Sequence, residues 1–217
     1  MNNLININEL NINDIMSSGS KNNISFRISE NEYVGLYGNS GSGKSTIALC
    51  ILGLLTKELK NGTVYINNKD IIKFTSQEQA KWNQSVAWVP QHIRILNSSL
   101  KENILFFNHA PTKVSKFENI MSQDWMNDIR ELLLNYQDSH ISEKSLSGGQ
   151  IQRIGIARAL CRCPKLLILD EFTSALDKSR EMMLINYLSQ LKGSLTILIV
   201  THRPRPLEIC DKLVHIV

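Results

Sequence analysis

Gly38-Asn39-Ser40-Gly41-Ser42-Gly43-Lys44-Ser45, followed by Thr46, is the stretch from which the rest of the 217-residue chain can be read. Its G-x-x-x-x-G-K-[ST] spacing is that of a phosphate loop. Glycines let backbone N–H groups turn inward around phosphates, a lysine such as Lys44 reaches the β- and γ-phosphates, and a hydroxyl such as that of Ser45 ligates Mg²⁺. The pattern therefore implies a nucleoside triphosphate held with Mg²⁺ by residues Gly38 to Thr46. The flanks agree. Apolar Tyr33-Val34-Gly35-Leu36-Tyr37 reads as a buried strand entering the loop, and Thr46-Ile47-Ala48-Leu49-Cys50-Ile51-Leu52 as the helix leaving it, which sets the phosphates at a helix N-terminus.

A second anion site lies downstream. Leu146-Ser147-Gly148-Gly149-Gln150 opens the helical run 151–160, placing a hydroxyl and glycine N–H groups at another helix start. With this pentapeptide behind a phosphate loop, the chain resembles the ATP-binding cassette (ABC) family, whose signature is LSGGQ. One triphosphate hardly needs two such sites on one chain. The resemblance implies that each ATP is held between the phosphate loop of one subunit and the signature residues Leu146, Ser147, Gly148, Gly149 and Gln150 of another, giving a homodimer or heterodimer with two composite sites.

The other motifs follow in family order. Leu166-Leu167-Ile168-Leu169-Asp170-Glu171 reads as a buried strand ending in two carboxylates, as at the carboxyl edge of a parallel sheet. Alone, two acids at a strand end would be ordinary solvated turn residues. The resemblance makes Asp170 a Mg²⁺ ligand beside Ser45, and Glu171 the catalytic residue that polarises the attacking water. Gln91, in Val89-Pro90-Gln91, resembles the Q-loop glutamine that senses Mg²⁺ or water. Ser174-Ala175-Leu176-Asp177 resembles the D-loop, with Asp177 coupling the two sites across the dimer; alone it would read as a helix N-cap. His202, after the β-branched strand 196–200 and Thr201, resembles the H-loop histidine that contacts the γ-phosphate. The catalytic set is then Glu171, His202 and Lys44. His92, His109, His140 and His215 match nothing and read as surface or packing residues.

One family feature is missing. An aromatic ring usually stacks on adenine from a loop about 25–30 residues before the lysine, where base stacking contributes about 1–3 kcal/mol. That window here holds Ile15, Met16, Ser17, Ser18 and Gly19. Ile15 or Met16 is the expected substitute, since Tyr33 and Tyr37 lie on the strand entering the loop.

Composition fits this reading. With 42% hydrophobic residues the chain can bury a core, and a net charge of +4 without a basic stripe gives poor support for nucleic-acid binding. Four cysteines lack paired zinc spacing and are expected as reduced thiols. No signal pattern opens the sequence and no run of 18 apolar residues interrupts it. The expected fold is α/β: a P-loop NTPase core with a mostly parallel sheet, an N-terminal antiparallel β element and an inserted α-helical subdomain. Residues 1–217 form one ABC ATPase domain, with 1–90 and 146–217 as the nucleotide-binding core and 91–145 as the helical subdomain. In that insert Ile129, Leu132, Leu133 and Tyr136 recur at helical spacing behind Asp124 as cap.

The resemblance further implies a transporter ATPase working with transmembrane subunits, peripheral on the inner, cytoplasmic face of a membrane. Leu100-Lys101-Glu102-Asn103-Ile104 and Thr201-His202-Arg203-Pro204 look exporter-like, and the apolar segment 93–107 fits a membrane-subunit contact, or else simply the core of the helical subdomain. Met1 with no fused membrane domain points to a separately encoded subunit. The alternative is a soluble ABC-type ATPase acting on nucleic acid or ribosomes, whose relatives carry tandem cassettes, coiled coils or zinc modules not found here.

Overall fold

Alternating apolar and polar residues fix the first strands. In β1 (Glu9–Ile15) and β2 (Ile24–Ser29) the pairs Leu10↔Ile28 and Ile12↔Phe26 turn to one buried face, while Ser25 and Arg27 face outward. The structure is a computed structural model that describes residues 8–15, 24–55, 62–106, 108–136 and 140–216. The described residues divide between two compact units. One draws on Met1–Trp88, Pro164–Glu171 and Leu191–Val217; the other on Val89–Cys163 and Phe172–Gln190. Among the described residues no helix is long and apolar enough to cross a membrane.

The first unit holds both sheets. After β3 (Tyr33–Gly38), the strands β4 (Thr63–Ile66) and β5 (Lys69–Asp70) complete an antiparallel sheet in the order β2-β1-β4-β5. The second sheet has the order β6-β7-β8-β3-β9, adding β6 (Val86–Val89), β7 (Leu166–Asp170), β8 (Thr196–Val200) and β9 (Lys212–Ile216). Pairing is parallel between β7 and β8, β8 and β3, and β3 and β9. Every residue of β7 and β8 is buried, which explains continuous apolar runs where a half-exposed strand would alternate. Core residues of the two sheets, including Leu10 and Ile12 from one and Leu36, Ile168 and Leu198 from the other, form one hydrophobic cluster.

Helix α1 (Lys44–Ile51) begins two residues before the expected Thr46, so Lys44 and Ser45 are themselves helical. The Nε1 of fully buried Trp82, on α2 (Ser76–Ser85), donates to the Ile51 carbonyl at 2.9 Å and satisfies an acceptor that the end of α1 leaves open.

The second unit is helical: α3 (Leu100–Leu105), α4 (Pro111–Met121), α5 (Asn127–Tyr136), α6 (Gly148–Cys161) and α7 (Lys178–Gln190). Thus α6 and α7 group with the insert, whereas the sequence division placed 146–217 in the core. Asp124 does not cap a helix. It opens a 3₁₀ turn, Asp124–Met126, whose Trp125 and Met126 are buried, and α5 starts only at Asn127. Pulling two large side chains inward tightens the chain there into i→i+3 geometry.

Arg153 on α6, 2% exposed, is the polar centre of this unit. Its Nη2 donates to Asp128 Oδ2 at 2.7 Å, Nη1 to Asp128 Oδ1 and to the Trp125 carbonyl at 2.8 Å, and Nε to the Gly149 carbonyl at 3.0 Å. These hydrogen bonds from Arg153 hold the Asp128 carboxyl below the usual carboxylate range. A depressed value means that the pair stabilises the fold fully above the unfolded carboxylate pKa of about 3.9 and loses that contribution as pH falls through the lower folded value. Asp128→Asn is therefore expected to destabilise the chain by about 3 kcal/mol at neutral pH, because buried Arg153 loses its counter-charge. In urea denaturation the gap to wild type should persist to pH 5 and close in stronger acid; a gap constant across that range would refute the ion pair.

Candidate active site

Three parallel strands end side by side in the first unit. Leu36 of β3 pairs with Val200 of β8, and Val200 pairs with Asp170 of β7. The ladder runs one step further, with Thr201 N donating to the Leu36 carbonyl at 3.0 Å and Glu171 N to the Val200 carbonyl at 2.9 Å. The phosphate-loop sequence, the Asp170-Glu171 pair and the Thr201-His202 pair thus leave the same carboxyl edge, where doubly wound sheets place their ligands.

The loop closes on itself around Lys44. Positive φ angles at Gly41 (81°) and Gly43 (89°) turn the backbone, and Lys44 is 7% exposed. Its Nζ donates to the carbonyls of Gly38 at 3.0 Å and Asn39 at 2.7 Å, with Ser42 Oγ at 3.5 Å. Gly38 is required for a different reason. A Cβ there would lie 2.1 Å from the Ile216 carbonyl oxygen of β9.

Asp170 is 3% exposed, and its Oδ1 has no hydrogen-bond partner. Burial pushes its carboxyl above the ordinary value and the neighbouring Glu171 charge adds to this, while a hydrogen bond with Ser45 opposes both. An unpartnered buried carboxylate oxygen beside a serine hydroxyl suits a hard, oxygen-ligated cation such as Mg²⁺. Glu171 adopts a left-handed backbone, φ 48°. Its Oε1 accepts from His202 N at 3.1 Å and lies 2.8 Å from His202 Nδ1, and its Oε2 accepts from Thr201 Oγ1 at 3.2 Å. Residues 31 apart in sequence are joined in this way. Thr201 was not among the residues singled out from sequence; its only signal was a hydroxyl immediately before His202 at a strand end.

The remaining candidates lie in the second unit. Ser147 N-caps α6 in a reciprocal box: its Oγ accepts from Gln150 N at 3.2 Å, and Gln150 Oε1 accepts from Ser147 N at 2.8 Å. Cβ atoms at Gly148 and Gly149 would lie 3.4 and 3.1 Å from atoms of Ala175, so the glycine pair lets Ser174-Ala175 pack closely. Asp177 Oδ1 accepts from Arg180 N at 2.9 Å, capping the start of α7, and Asp177 Oδ2 accepts from Arg180 Nη1 at 2.5 Å. Gln91 is exposed and lines a cleft of about 450 Å³ with Gly148, Gln152, Ser174 and Ala175. This unit therefore gathers Gln91, the glycines of the 146–150 segment and the 174–177 segment, while Lys44, Ser45, Asp170, Glu171 and His202 belong to the other.

Two expectations change. Ile15 is 1% exposed within the hydrophobic cluster and does not replace the adenine-stacking ring; Met16 to Gly19 lie outside the described residues. In the segment 93–107, Leu100, Ile104 and Leu105 are buried, and fully buried Asn103 bonds Leu96 through both N–H (2.8 Å) and C=O (2.9 Å). These side chains supply core to the helical unit, leaving Phe106 as the exposed apolar residue there, with Phe107 outside the described residues. Tyr37 stacks on His215 with ring centroids 4.7 Å apart, giving that histidine a packing role.

Comparison with known proteins gives concordant matches. A family model described as ABC transporter matches residues 21–174. A Rickettsia typhi protein named for export ATP-binding/permease function is 38% identical over 194 residues, covering 88% of this chain and 32% of that protein. The mating factor M secretion protein mam1 of Schizosaccharomyces pombe is 35% identical over 195 residues, 89% of this chain and 14% of its own length. The methionine import ATP-binding protein MetN of Carboxydothermus hydrogenoformans is 32% identical over 194 residues, 88% of this chain and 56% of its own. The chain thus spans about a third of the length of the Rickettsia relative. Among solved structures, a bacterial Atm1-family ABC exporter with ATP bound superposes with a TM-score of 0.84 at 23% identity, over 98% of this chain and 38% of that one, which establishes the shared fold.

The contact at Gly38 is the most exacting of the site. Gly38→Ala should force β9 or the loop to move and lower folding stability by about 1–3 kcal/mol, measured by thermal denaturation. Unchanged stability would mean that the Ile216 carbonyl yields freely.

Proposed function

This chain belongs to the ABC transporter family, and on that premise we propose that it is the ATP-binding and ATP-hydrolysing part of an export-type transporter, acting on a transmembrane partner at the inner face of a membrane. The observation that carries this reading is the convergence of Lys44, Ser45, Asp170, Glu171 and His202 on one sheet edge in one unit. A nucleic-acid or ribosome-directed ATPase has no comparable support, because the export-named relatives reach 39% identity.

In this proposal the phosphates replace the Gly38 and Asn39 carbonyls as partners of Lys44 Nζ, and the N–H groups of residues 39–46 surround them at the start of α1. Ser45 and Asp170 would hold Mg²⁺, which would neutralise phosphate charge. Glu171 and His202 orient a water; its oxygen bonds to the γ-phosphorus as the bond to the β,γ-bridging oxygen breaks, and a water proton passes toward Glu171. Residues Leu146 to Gln150 of a second subunit cover the γ-phosphate, and Asp177 links the two sites of the dimer. Release of ADP and phosphate reopens the pair, and that cycle moves the partner.

The test is an ATPase and binding assay on three variants. Glu171→Gln is expected to bind ATP with near-native affinity and to lose at least about a hundredfold in kcat. Lys44→Ala should weaken ATP binding itself, by about tenfold or more, as read by calorimetry. Ser147→Arg should leave ATP binding to the monomer intact and abolish ATP-dependent dimerisation in light scattering. Native turnover by Glu171→Gln would remove the assignment.

A further inference from the structure

We propose that Thr201 is a positioning residue for ATP hydrolysis, its hydroxyl holding the Glu171 carboxylate in the orientation needed to take the attacking water. The inference rests on the ATPase reading above and adds to it a residue and its task.

Thr201 is 1% exposed, so solvent does not substitute for its partners. Arg203 N donates to Oγ1 at 3.0 Å and occupies one lone pair, while the single hydroxyl proton lies toward Glu171 Oε2 at 3.2 Å. The main chain of Thr201 is itself fixed. Its N–H bonds the Leu36 carbonyl of β3, the strand that enters the phosphate loop. The hydroxyl therefore ties the Glu171 side chain to the strand that positions the phosphates.

The two oxygens of Glu171 are held differently. Oε1 faces the His202 ring, which is 60% exposed. When that ring turns to a phosphate, as its proposed role requires, Oε1 keeps only the His202 backbone N–H. Oε2 keeps Thr201, which is packed and bonded on both sides. Thr201 is the permanent hold and the His202 ring the exchangeable one. The left-handed backbone of Glu171 gives the same division, since the N–H to Val200 carbonyl bond fixes where the side chain starts and Thr201 fixes where it ends.

The experiment uses the full chain with steady-state ATPase kinetics. Thr201→Val keeps the shape and removes the hydroxyl; Thr201→Ser keeps the hydroxyl and removes a methyl; Thr201→Ala serves as the second hydroxyl-free variant where Thr201→Val fails to fold. Misplacing a water-orienting group costs up to about a hundredfold. The expected result is that Thr201→Val lowers kcat by about tenfold to a hundredfold, leaves KM for ATP within about twofold, and is matched by Thr201→Ala, whereas Thr201→Ser returns kcat to within about threefold of wild type. A role confined to packing would lower Thr201→Ser, which loses a methyl, and spare Thr201→Val, which keeps the shape; that outcome overturns the proposal, as does a rise in KM at constant kcat. Glu171→Gln is assayed in parallel. If it turns over like wild type, the ATPase reading fails and Thr201 with it; if it is inactive while Thr201→Val is native, only the Thr201 assignment falls.

Discussion

Register between three parallel strands is the constraint on which the candidate site depends. Leu36, Val200 and Asp170 stand in one row, so the next residues of each strand emerge together. Side chains alternate with period two along a strand, and a slip of one residue in β7 would bring Glu171 to the place of Asp170, or Asp170 to the place of Glu171. The other carboxylate position, beside His202 or beside Ser45, would then be filled by apolar Phe172 or Leu169. Complete burial of β7 and β8 on both faces does not by itself resist such a slip, because both faces are apolar. The specification comes instead from the ends: Asp170 meets Ser45 in only one register, and Glu171 meets Thr201 and His202 in only one register.

The helical unit is specified by a different device. Arg153, buried, links Asp128 on α5 with the Gly149 carbonyl at the start of α6, and Arg180 on α7 stands between Asp177 and Asp128. The start of the signature helix is thereby tied to the start of the helix that follows the 174–177 segment. A buried guanidinium held by four hydrogen bonds is costly to misplace, so it fixes the relative placement of three helices more sharply than apolar packing would. Asn103 does similar work on a smaller scale, closing the irregular 96–99 turn with its amide while Arg158 caps the Asn103 carbonyl at 2.7 Å.

Much of this was legible in the sequence because local rules wrote it. Strand runs 33–37, 166–170 and 196–200, the Gly/Lys/Ser spacing of the loop and the helix start at Leu146 to Gln150 each involve residues within a few positions of one another. The α/β architecture followed from them and stands. What escaped was non-local or concerned burial. Thr201 gains meaning only from a glutamate 30 residues earlier, and Arg153 only from an aspartate 25 residues earlier. Asp124 had the composition of a cap, yet the demand to bury Trp125 and Met126 overrode it. Ile15 stood where the family keeps an aromatic, but the β1 register turns it into the core, and no periodicity argument over so short a run shows which way a strand end faces.

Trp82 gives the fold an optical consequence. Its indole is fully buried and bonded to the last turn of the helix whose first turn carries Lys44, while Trp125 is buried in the helical unit. The two units thus hold their own deeply buried fluorophores. Trp88, the third tryptophan, also belongs to the sheet-bearing unit, so replacing Trp125 leaves emission from that unit alone and replacing Trp82 and Trp88 together leaves emission from the helical unit alone; melting, refolding and ligand protection can then be followed for each part without any added label.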